Sequence, residues 1–302
     1  MKNDLLTFTN WQSEQVKRIL DLALAVKTKP ENYQQVLAGK SIVALFEKPS
    51  LRTRLSFDIG INKLGGHFVY LDVQGDNLKD RESLADTAAN IACWADGLIS
   101  RVFSHETLEV YAQSCDIPVV NALCDKFHPC QAMADMLTLT ETFGDLSKVK
   151  LAYFGDGNNV AHSLMIAAAH LGMNLAVVTP QGYETEQYAL DSALSIAAKT
   201  GAEITVSNDI NDAIGANAVY TDTWISMGDD TPPESIEAVF SPYQINQALL
   251  DKTGATHVMH CQPAHRDVEI TSEIMDSKCS LLMQQAENRM HAQNAILINL
   301  LT

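Results

Sequence analysis

Residues 41–64 read SIVALFEKPSLRTRLSFDIGINKL and contain a β-branched run, a turn and a helical pattern, in that order. The run Ser41–Phe46 predicts a buried strand, and the apolar spacing over 52–64 predicts a helix. Ser50 stands between them at the position of a helix N-cap. A strand that leads directly into a helix is the unit from which parallel α/β sheets are built.

The same alternation continues along the chain. Further strands are predicted at 68–72, 97–103, 118–123, 150–154, 175–179, 203–206, 218–221 and 256–260, and helices at 82–94, 106–114, 160–171, 185–199, 242–250 and 287–301. Such alternation indicates right-handed βαβ units and parallel sheets, with a break between two sets at 142–148. Because ligands of open α/β sheets bind beyond the carboxyl ends of the strands, the residues after each strand are the candidates for a site.

Composition narrows the class of protein. The chain has 302 residues, of which 46% are hydrophobic and 19% charged, which is ordinary for a soluble globular protein. It has no apolar run long enough for a membrane span, and no apolar core of a signal peptide at its start, so a cytoplasmic location is expected. Six scattered cysteines without a C-x-x-C pair disfavour a disulfide framework. The net charge of −16 disfavours a nucleic-acid partner and requires that any anion site collect its arginines locally.

Ser50-Leu-Arg-Thr-Arg54 is the first candidate binding segment. The first turn of its helix offers free backbone N–H groups, two hydroxyls and two arginines. A lone R-x-R would favour a capped, solvated helix start. However, basic residues at a helix N-terminus oppose the helix dipole and destabilise it unless an anion binds, so the segment predicts a phosphate cradle.

His128-Pro-Cys-Gln131 follows the predicted strand 118–123, and its proline suits the start of a helix that runs to about residue 142. An imidazole and an amide can hold a small planar carbonyl group, with His128 polarising its oxygen. Taken alone, a His-Pro turn is more often structural.

Asp222-Thr-Trp-Ile-Ser-Met-Gly228 follows the strand predicted at 218–221. A carboxylate at a strand end can hold a cationic amine, and the apolar side chains of Trp224, Ile225 and Met227 suit a loop that closes over a ligand. The alternative is an ordinary exposed loop.

Met259-His-Cys-Gln-Pro-Ala-His-Arg266 follows the last predicted strand. His260 and Cys261 resemble a metal-binding pair, but no further ligand stands at metal spacing, so no metal site is predicted. For Cys261 a positioning or proton-relay role is favoured over that of a nucleophile. Glu287-Asn-Arg289 begins the final helix.

Gly155-Asp-Gly-Asn-Asn159 is a partial dinucleotide-binding motif with Val160 in place of its third glycine. No acidic residue follows the next strand, where a ribose hydroxyl would be bound. A dinucleotide-dependent oxidoreductase is therefore disfavoured, and the asparagines suit a polar substrate better.

In their order and spacing these motifs resemble the aspartate/ornithine carbamoyltransferase superfamily, and its ornithine-type members in particular, from Phe46 to His291. The resemblance implies an α/β fold of two doubly wound parallel-sheet domains. A carbamoyl-phosphate domain at 1–145 would be followed by an ornithine domain at 146–285, and the C-terminal helix 286–302 would return to the first. It implies carbamoyl transfer from carbamoyl phosphate to the side-chain amine of L-ornithine, in arginine biosynthesis, without a cofactor or metal, by a homotrimer or an assembly of trimers.

The resemblance also implies residue roles. Carbamoyl phosphate would be bound by Ser50, Leu51, Arg52, Thr53, Arg101, His128, Gln131, Cys261, Gln262 and Arg289. Ornithine would be bound by Asn159, Asp222, Ser226 and Met227. The catalytic residues would be Arg52, His128, Cys261 and Arg289.

Three positions depart from the ornithine-type pattern: Leu51 replaces a threonine, Gln262 replaces a leucine, and a glutamine is either replaced by Asn77 or displaced to Gln74. The first also occurs in relatives that carbamoylate acylated ornithines. The intact segment from Asp222 to Gly228 favours ornithine over acylated ornithine, putrescine and aspartate. A non-catalytic paralogue remains as an alternative, disfavoured because every charged residue of the catalytic type is retained.

Overall fold

The computed structural model describes residues 3–73, 82–224 and 233–302. Its strands are β1 (Ser41–Phe46), β2 (His67–Asp72), β3 (Gly97–Arg101), β4 (Val119–Leu123), β5 (Lys150–Phe154), β6 (Asn174–Val178), β7 (Ile204–Ser207), β8 (Ala218–Thr221) and β9 (His257–His260). Its α-helices are α1 (Ser13–Thr28), α2 (Leu51–Lys63), α3 (Leu84–Ala92), α4 (His105–Ser114), α5 (Pro129–Phe143), α6 (Asn159–Leu171), α7 (Gln187–Thr200), α8 (Pro233–Phe240), α9 (Gln247–Thr253), α10 (Ser272–Met275) and α11 (Leu282–Leu301). None of these described helices is long and apolar enough to cross a membrane.

The chain forms two compact units. The first comprises Met1–Leu137 and Asn288–Thr302, and the second comprises Thr138–Glu287. The division falls within α5 and within α11, so the end of the chain belongs to the first unit. The domain limits drawn from the sequence, 1–145 with 286–302 and 146–285, stay a prediction.

The first unit contains a parallel sheet in the order β2-β1-β3-β4. β1 is mostly buried, which explains its continuous apolar run, and every residue of β3 is buried, including Ser100 and Arg101 at its end. The strand order reverses between β1 and β3, because β2 lies on one side of β1 and β3 on the other. In such sheets the crevice at this reversal is the usual place for a ligand.

The second unit contains a parallel sheet in the order β7-β6-β5-β8-β9. Its order reverses between β5 and β8. Helix α6 is buried over twelve consecutive residues, from Val160 to Leu171. Burial on every side agrees with its mostly apolar sequence. The α/β fold with two doubly wound parallel sheets is confirmed, as is the return of the last helix to the first unit.

All nine predicted strands are present, with ends displaced by no more than two residues. The helix predicted at 242–250 begins only at Gln247, because Asn246 caps it by accepting from the backbone N–H of Leu249. The last helix begins at Leu282, five residues before its predicted start. Helices α1, α8 and α10 were not predicted from the sequence.

Candidate active site

Ser50 caps helix α2 just beyond the carboxyl end of β1. Its hydroxyl oxygen accepts from the backbone N–H of Thr53 at 3.3 Å and donates to the Thr53 hydroxyl at 2.8 Å. The predicted N-cap is therefore confirmed. The free N–H groups of the first helical turn lie at the reversal point of the first sheet, where an anion would meet the positive end of the helix dipole.

The two arginines of this turn differ in their surroundings. The guanidinium of Arg54 lies over the ring of Tyr70, 4.1 Å from its centroid, in a cation–π contact. Arg52 is exposed and makes no hydrogen bond or ion pair with the part of the chain that is described. Arg52 is thus the arginine that remains available to a ligand, whereas the side chain of Leu51 is 71% exposed.

A buried cationic cluster, consisting of Arg101, Arg289 and His128, belongs to the same unit. Arg101 ends β3, His128 precedes α5, and Arg289 lies on α11; each is at most 6% exposed. Burial, and then the charge of Arg289, lowers the pKa of Arg101 to about 10. Burial, followed by Arg289 and Arg101, holds the pKa of His128 well below its ordinary value. At neutral pH the cluster therefore contains charged guanidinium groups beside a neutral imidazole.

The charge of Arg101 is not neutralised by the described residues. Its buried Nε has no hydrogen-bond partner among them, and no carboxylate there lies within ion-pair distance of its guanidinium. A buried cation without a counter-ion is unfavourable. The cluster is therefore built to receive an anion.

Arg289 joins the cluster to the first turn of α2. Its Nη2 donates to the Thr53 hydroxyl at 2.7 Å, and its Nη1 donates to the amide oxygen of Gln131 at 2.5 Å. One guanidinium thereby ties α11 to α2 and α5. The structure brings together six of the first-unit residues predicted from the sequence: Ser50, Thr53, Gln131 and Arg289 are joined through hydrogen bonds, and Arg101 and His128 lie within electrostatic reach of Arg289. The side chains of Leu51 and Arg52 are exposed and are not part of this network.

In the second unit, Asp222 and Cys261 meet beyond the neighbouring strands β8 and β9. The thiol Sγ donates to Oδ1 of Asp222 at 2.7 Å. Oδ2 of Asp222 accepts from the side-chain amide of Asn158 at 3.1 Å, and Asn158 also caps α6. Asn159 is the first residue of that helix. A carboxylate, a thiol and the amide of Asn158 are thus joined beyond the carboxyl ends of β5, β8 and β9, a polar group suited to an amine-bearing ligand.

The segment after Cys261 is fixed by a buried pair, His260 and Glu269. His260 Nε2 lies 3.1 Å from a carboxylate oxygen of Glu269, and both side chains are fully buried. His260 Nδ1 accepts from the backbone N–H of Gln262 at 2.8 Å, which holds Gln262 at a φ of 59°. Because a residue other than glycine rarely adopts that φ, the bond stabilises an unfavourable backbone conformation next to Cys261.

Contrary to the prediction from spacing, a third possible metal ligand lies beside His260 and Cys261. The ligand atoms of Asp222 and of these two residues all fall within 4.8 Å of one another. The sheet brings Asp222 there across 39 residues of sequence. Even so, both ring nitrogens of His260 are engaged, by Glu269 and by the Gln262 backbone, so the trio does not offer three free ligand atoms.

The carbamoyl-P binding domain model of aspartate/ornithine carbamoyltransferase matches residues 3–141, and the Asp/Orn binding domain model matches residues 147–300. The chain belongs to the aspartate/ornithine carbamoyltransferase family. It is 53% identical over 298 residues to the ornithine carbamoyltransferase of Moritella abyssi, covering 99% of each chain.

Solved structures of the family agree with this assignment. The ornithine carbamoyltransferase from Pyrococcus furiosus is 40% identical, with a TM-score of 0.93 over 98% of this chain and 96% of that one. An acetylornithine transcarbamylase complexed with acetylcitrulline is 28% identical, with a TM-score of 0.89 over 99% of each chain. The likeness in sequence is thus greater to the ornithine enzymes than to the acetylornithine enzyme.

Six residues named in the sequence analysis lie outside the described residues: Gln74, Asn77, Ile225, Ser226, Met227 and Gly228. Trp224, which the sequence suggested as part of a loop over the ligand, is only 4% exposed and packs with Ile236 and Phe240. Its apolar side chain therefore belongs to a small core.

Asn158 is one of the two asparagines that the sequence analysis expected to suit a polar substrate, and it donates to Asp222. Sequence reasoning missed two residues that contact predicted residues: Asp135 accepts a hydrogen bond from Gln131, and Glu269 contacts His260. Asp135 stands four residues after Gln131 on a helix, which predicts a shared face but not the contact.

Proposed function

We propose that this protein transfers the carbamoyl group of carbamoyl phosphate to the side-chain amine of L-ornithine, giving citrulline and phosphate. The observation that carries the proposal is the buried cationic cluster beside the N-terminus of α2. Its un-neutralised Arg101 and its neutral His128 suit a ligand with a phosphate and a carbonyl. The family of the chain and the names of its relatives supply the reaction.

The donor belongs to the first unit in this proposal, with domain limits of 1–145 and 286–302. The phosphate is bound by the side chains of Ser50, Arg52, Thr53 and Arg101 and by the backbone N–H of Leu51. His128 and Arg289 donate to the carbonyl oxygen, and Gln131 contacts the carbamoyl amine. A neutral imidazole suits this role because it donates one hydrogen bond without adding a third positive charge.

The acceptor belongs to the second unit, within 146–285. Asn159, Asp222, Ser226 and Met227 bind ornithine, while Cys261 and the backbone of Gln262 contact the reacting groups. The bond from the Cys261 thiol to Asp222 supports a shared location for these two side chains at the bound amine. The carboxylate of Asp222 attracts a cationic amino acid and disfavours aspartate as the acceptor.

The chemistry follows from charge. The amine loses its proton and attacks the carbonyl carbon, so negative charge develops on the carbonyl oxygen. The buried donors His128 and Arg289, together with Arg52, stabilise that charge. The C–O bond to phosphate then breaks, the attacking nitrogen gives up its extra proton to the departing phosphate, and phosphate leaves into the Arg52 and Arg101 cradle. No cofactor or metal is part of this proposal, because the phosphate is already a good leaving group.

The proposal also includes a cytoplasmic location, a role in arginine biosynthesis, and a homotrimer or an assembly of trimers. The resemblance to the family supports all three. One structural feature supports the assembly: Leu51, Leu55 and Ile59 recur every four residues on α2 and are 71%, 46% and 48% exposed. Such a stripe on a helix is typical of a surface that another protein covers.

The test is an acceptor panel with the purified protein. Carbamoyl phosphate is mixed separately with ornithine, acetylornithine, putrescine and aspartate, and the carbamoylated products are quantified. Citrulline from ornithine alone is the expected result. Product from another amine alone would contradict ornithine as the acceptor but would agree with carbamoyl phosphate as the donor. If no amine gave product, the protein would be a non-catalytic paralogue.

A further inference from the structure

Gln131 lies between a carboxylate and a guanidinium, those of Asp135 and Arg289, in the interior of the first unit. Its Nε2 donates to Oδ1 of Asp135 at 2.7 Å, and its Oε1 accepts from Nη1 of Arg289 at 2.5 Å. The exposed fractions of these three residues are 1%, 0% and 6%. Gln131 and Asp135 are four residues apart on α5 and so lie on the same face of the helix.

These two neighbours fix the orientation of the Gln131 amide. An ionised carboxylate only accepts hydrogen bonds, and a guanidinium only donates them. With the amide reversed, its NH₂ would face the N–H groups of Arg289 and its oxygen would face the Asp135 carboxylate. Two repulsive contacts would replace two hydrogen bonds at a buried place, where electrostatic interactions are strongest.

As a consequence, the amide oxygen of Gln131 is fixed on the side of Arg289, where it can accept from a donor group of a ligand. The amide oxygen has two lone pairs, of which Arg289 uses one, whereas the amide N–H that meets Asp135 points to the protein. A carbamoyl group carries an NH₂ donor next to its carbonyl. An acetyl group of nearly the same shape carries a methyl group there and cannot donate.

We propose that Asp135 is a positioning residue for acyl-donor specificity: it holds Gln131 so that the amide oxygen accepts from the NH₂ of carbamoyl phosphate and leaves acetyl phosphate without that bond. The inference rests on the proposed function and adds the residue that makes the donor site selective. A polar site that pairs with a ligand N–H discriminates strongly against an analogue that lacks it.

The experiment measures binding at equilibrium, so its outcome does not depend on turnover of ornithine. Affinities for carbamoyl phosphate, acetyl phosphate and inorganic phosphate are measured by calorimetry on the full-length protein. In Asp135→Ala, the affinity for carbamoyl phosphate is expected to fall about tenfold, the loss of one well-made hydrogen bond. Affinities for acetyl phosphate and inorganic phosphate should change less than about threefold. Asp135→Asn, which keeps an acceptor oxygen, should retain most of the discrimination.

If the Asp135→Ala protein fails to fold, a second set of variants still tests the proposal. Gln131→Met removes the amide at similar volume and should lose the same discrimination. Adding Asp135→Ala to Gln131→Met should cause no further loss of discrimination, because Asp135 acts only through Gln131. Equal weakening of all three ligands, additive effects in the double variant, or an Asp135→Asn as unselective as Asp135→Ala would each overturn the proposal.

Discussion

Arg101 is a residue that destabilises the free protein but would strengthen the binding of an anion. Its guanidinium is buried, is close enough to Arg289 for like-charge repulsion to lower its pKa, and has no ion-pair partner in the described part of the chain. Each of these features destabilises the unliganded fold. A bound anion would remove the imbalance, so the residue contributes to stability only in the complex.

Replacing Arg101 by leucine separates these two effects. Affinity for inorganic phosphate should fall by about 10- to 100-fold, the loss of charge-assisted hydrogen bonds worth about 1.5–3 kcal/mol. The melting temperature without ligand should not fall, since buried charge and repulsion are removed together. Calorimetry and thermal unfolding measure the two quantities.

Arg266→Leu is the matched control, because Arg266 is an exposed arginine paired with Asp276 in the second unit. Its affinity for phosphate should equal that of the unsubstituted protein. An Arg101→Leu protein that binds phosphate normally would refute the anion role.

His128 gives the stability of the protein a dependence on pH. Its folded pKa lies well below the ordinary value of 6.5, so below about pH 6.5 the unfolded chain binds a proton that the folded protein excludes. The free energy of unfolding is therefore unaffected by this group above pH 6.5 and falls as the pH drops below it, by up to about 1.4 kcal/mol per pH unit. Proton uptake on unfolding between pH 5 and 6.5 measures this.

Substituting His128→Gln removes one titrating group and should lower that uptake by up to about one proton. Burial, as the first cause, also lowers the pKa values of His105 and His257, so part of the uptake should remain. Identical uptake in the two proteins would show that His128 is charged in the folded state.

At the scale of elements, α2 and α11 approach each other closely at Gly60. A Cβ at this position would overlap Oδ1 of Asn294 and lie 3.2 Å from Cγ of Met290, and Asn294 is almost fully buried. The same two helices are joined by the bond from Arg289 to Thr53. Glycine thus allows the helix spacing at which Arg289 on α11 reaches Thr53 on α2.

Gly60→Ala should lower the free energy of unfolding. The gain in helix propensity, about 1 kcal/mol, is expected to be smaller than the overlap, about 1–3 kcal/mol. Adding Asn294→Ala removes the overlapping atom and should recover most of the loss in denaturant unfolding. If the single variant is as stable as the unsubstituted protein, the helices are not in close contact at this point.

The elements that the sequence predicted best are those defined by local pattern. Buried parallel strands have continuous apolar runs, and Ser50 marks the start of α2 through a contact with a residue three positions away. The start of α9 was misjudged because Pro242 lies in a 3-10 turn before the cap at Asn246. Helix α1 was overlooked although its buried residues, Val16, Ile19, Leu20, Ala23 and Val26, have helical spacing.

Contacts within the site were less predictable, because they depend on which strands become neighbours. Asp222 meets Cys261 only because β8 pairs with β9, and Asn158 reaches Asp222 only because β5 pairs with β8. Local patterns do not determine sheet order. The spacing argument against a third ligand near His260 failed for the same reason.

On the scale of the whole molecule, the chain has a net charge of −16 and yet contains a cationic cluster. The two are compatible because the cluster is a local group of buried side chains. The two arginines of the cluster, Arg101 and Arg289, lie in one unit, although their elements, β3 and α11, are distant in sequence. Acidic side chains on the surface keep the protein soluble and repel other copies at long range. For the proposed trimer, the exposed stripe of α2 is the apolar surface that we expect neighbouring copies to cover.

The apolar stripe of Leu51, Leu55 and Ile59 yields a test of the proposed trimer. The opposite face of α2 packs into the first unit through Thr53, Phe57, Gly60 and Ile61, so the stripe is free to contact another copy. We expect light scattering after gel filtration to give a multiple of three chain masses for the unsubstituted protein. Introducing Leu55→Glu with Ile59→Glu should reduce it to one chain mass, because the buried charges could not be neutralised.

The control for the stripe is Ile214→Glu, since Ile214 is 54% exposed and belongs to the second unit, whereas α2 belongs to the first. Its mass should remain that of the unsubstituted protein. Circular dichroism should show the same helix content for all three proteins, so that a fall in mass reports assembly rather than unfolding. A trimer that survives both glutamates would place the contact between copies elsewhere, and the exposed leucines would then need another partner to cover them.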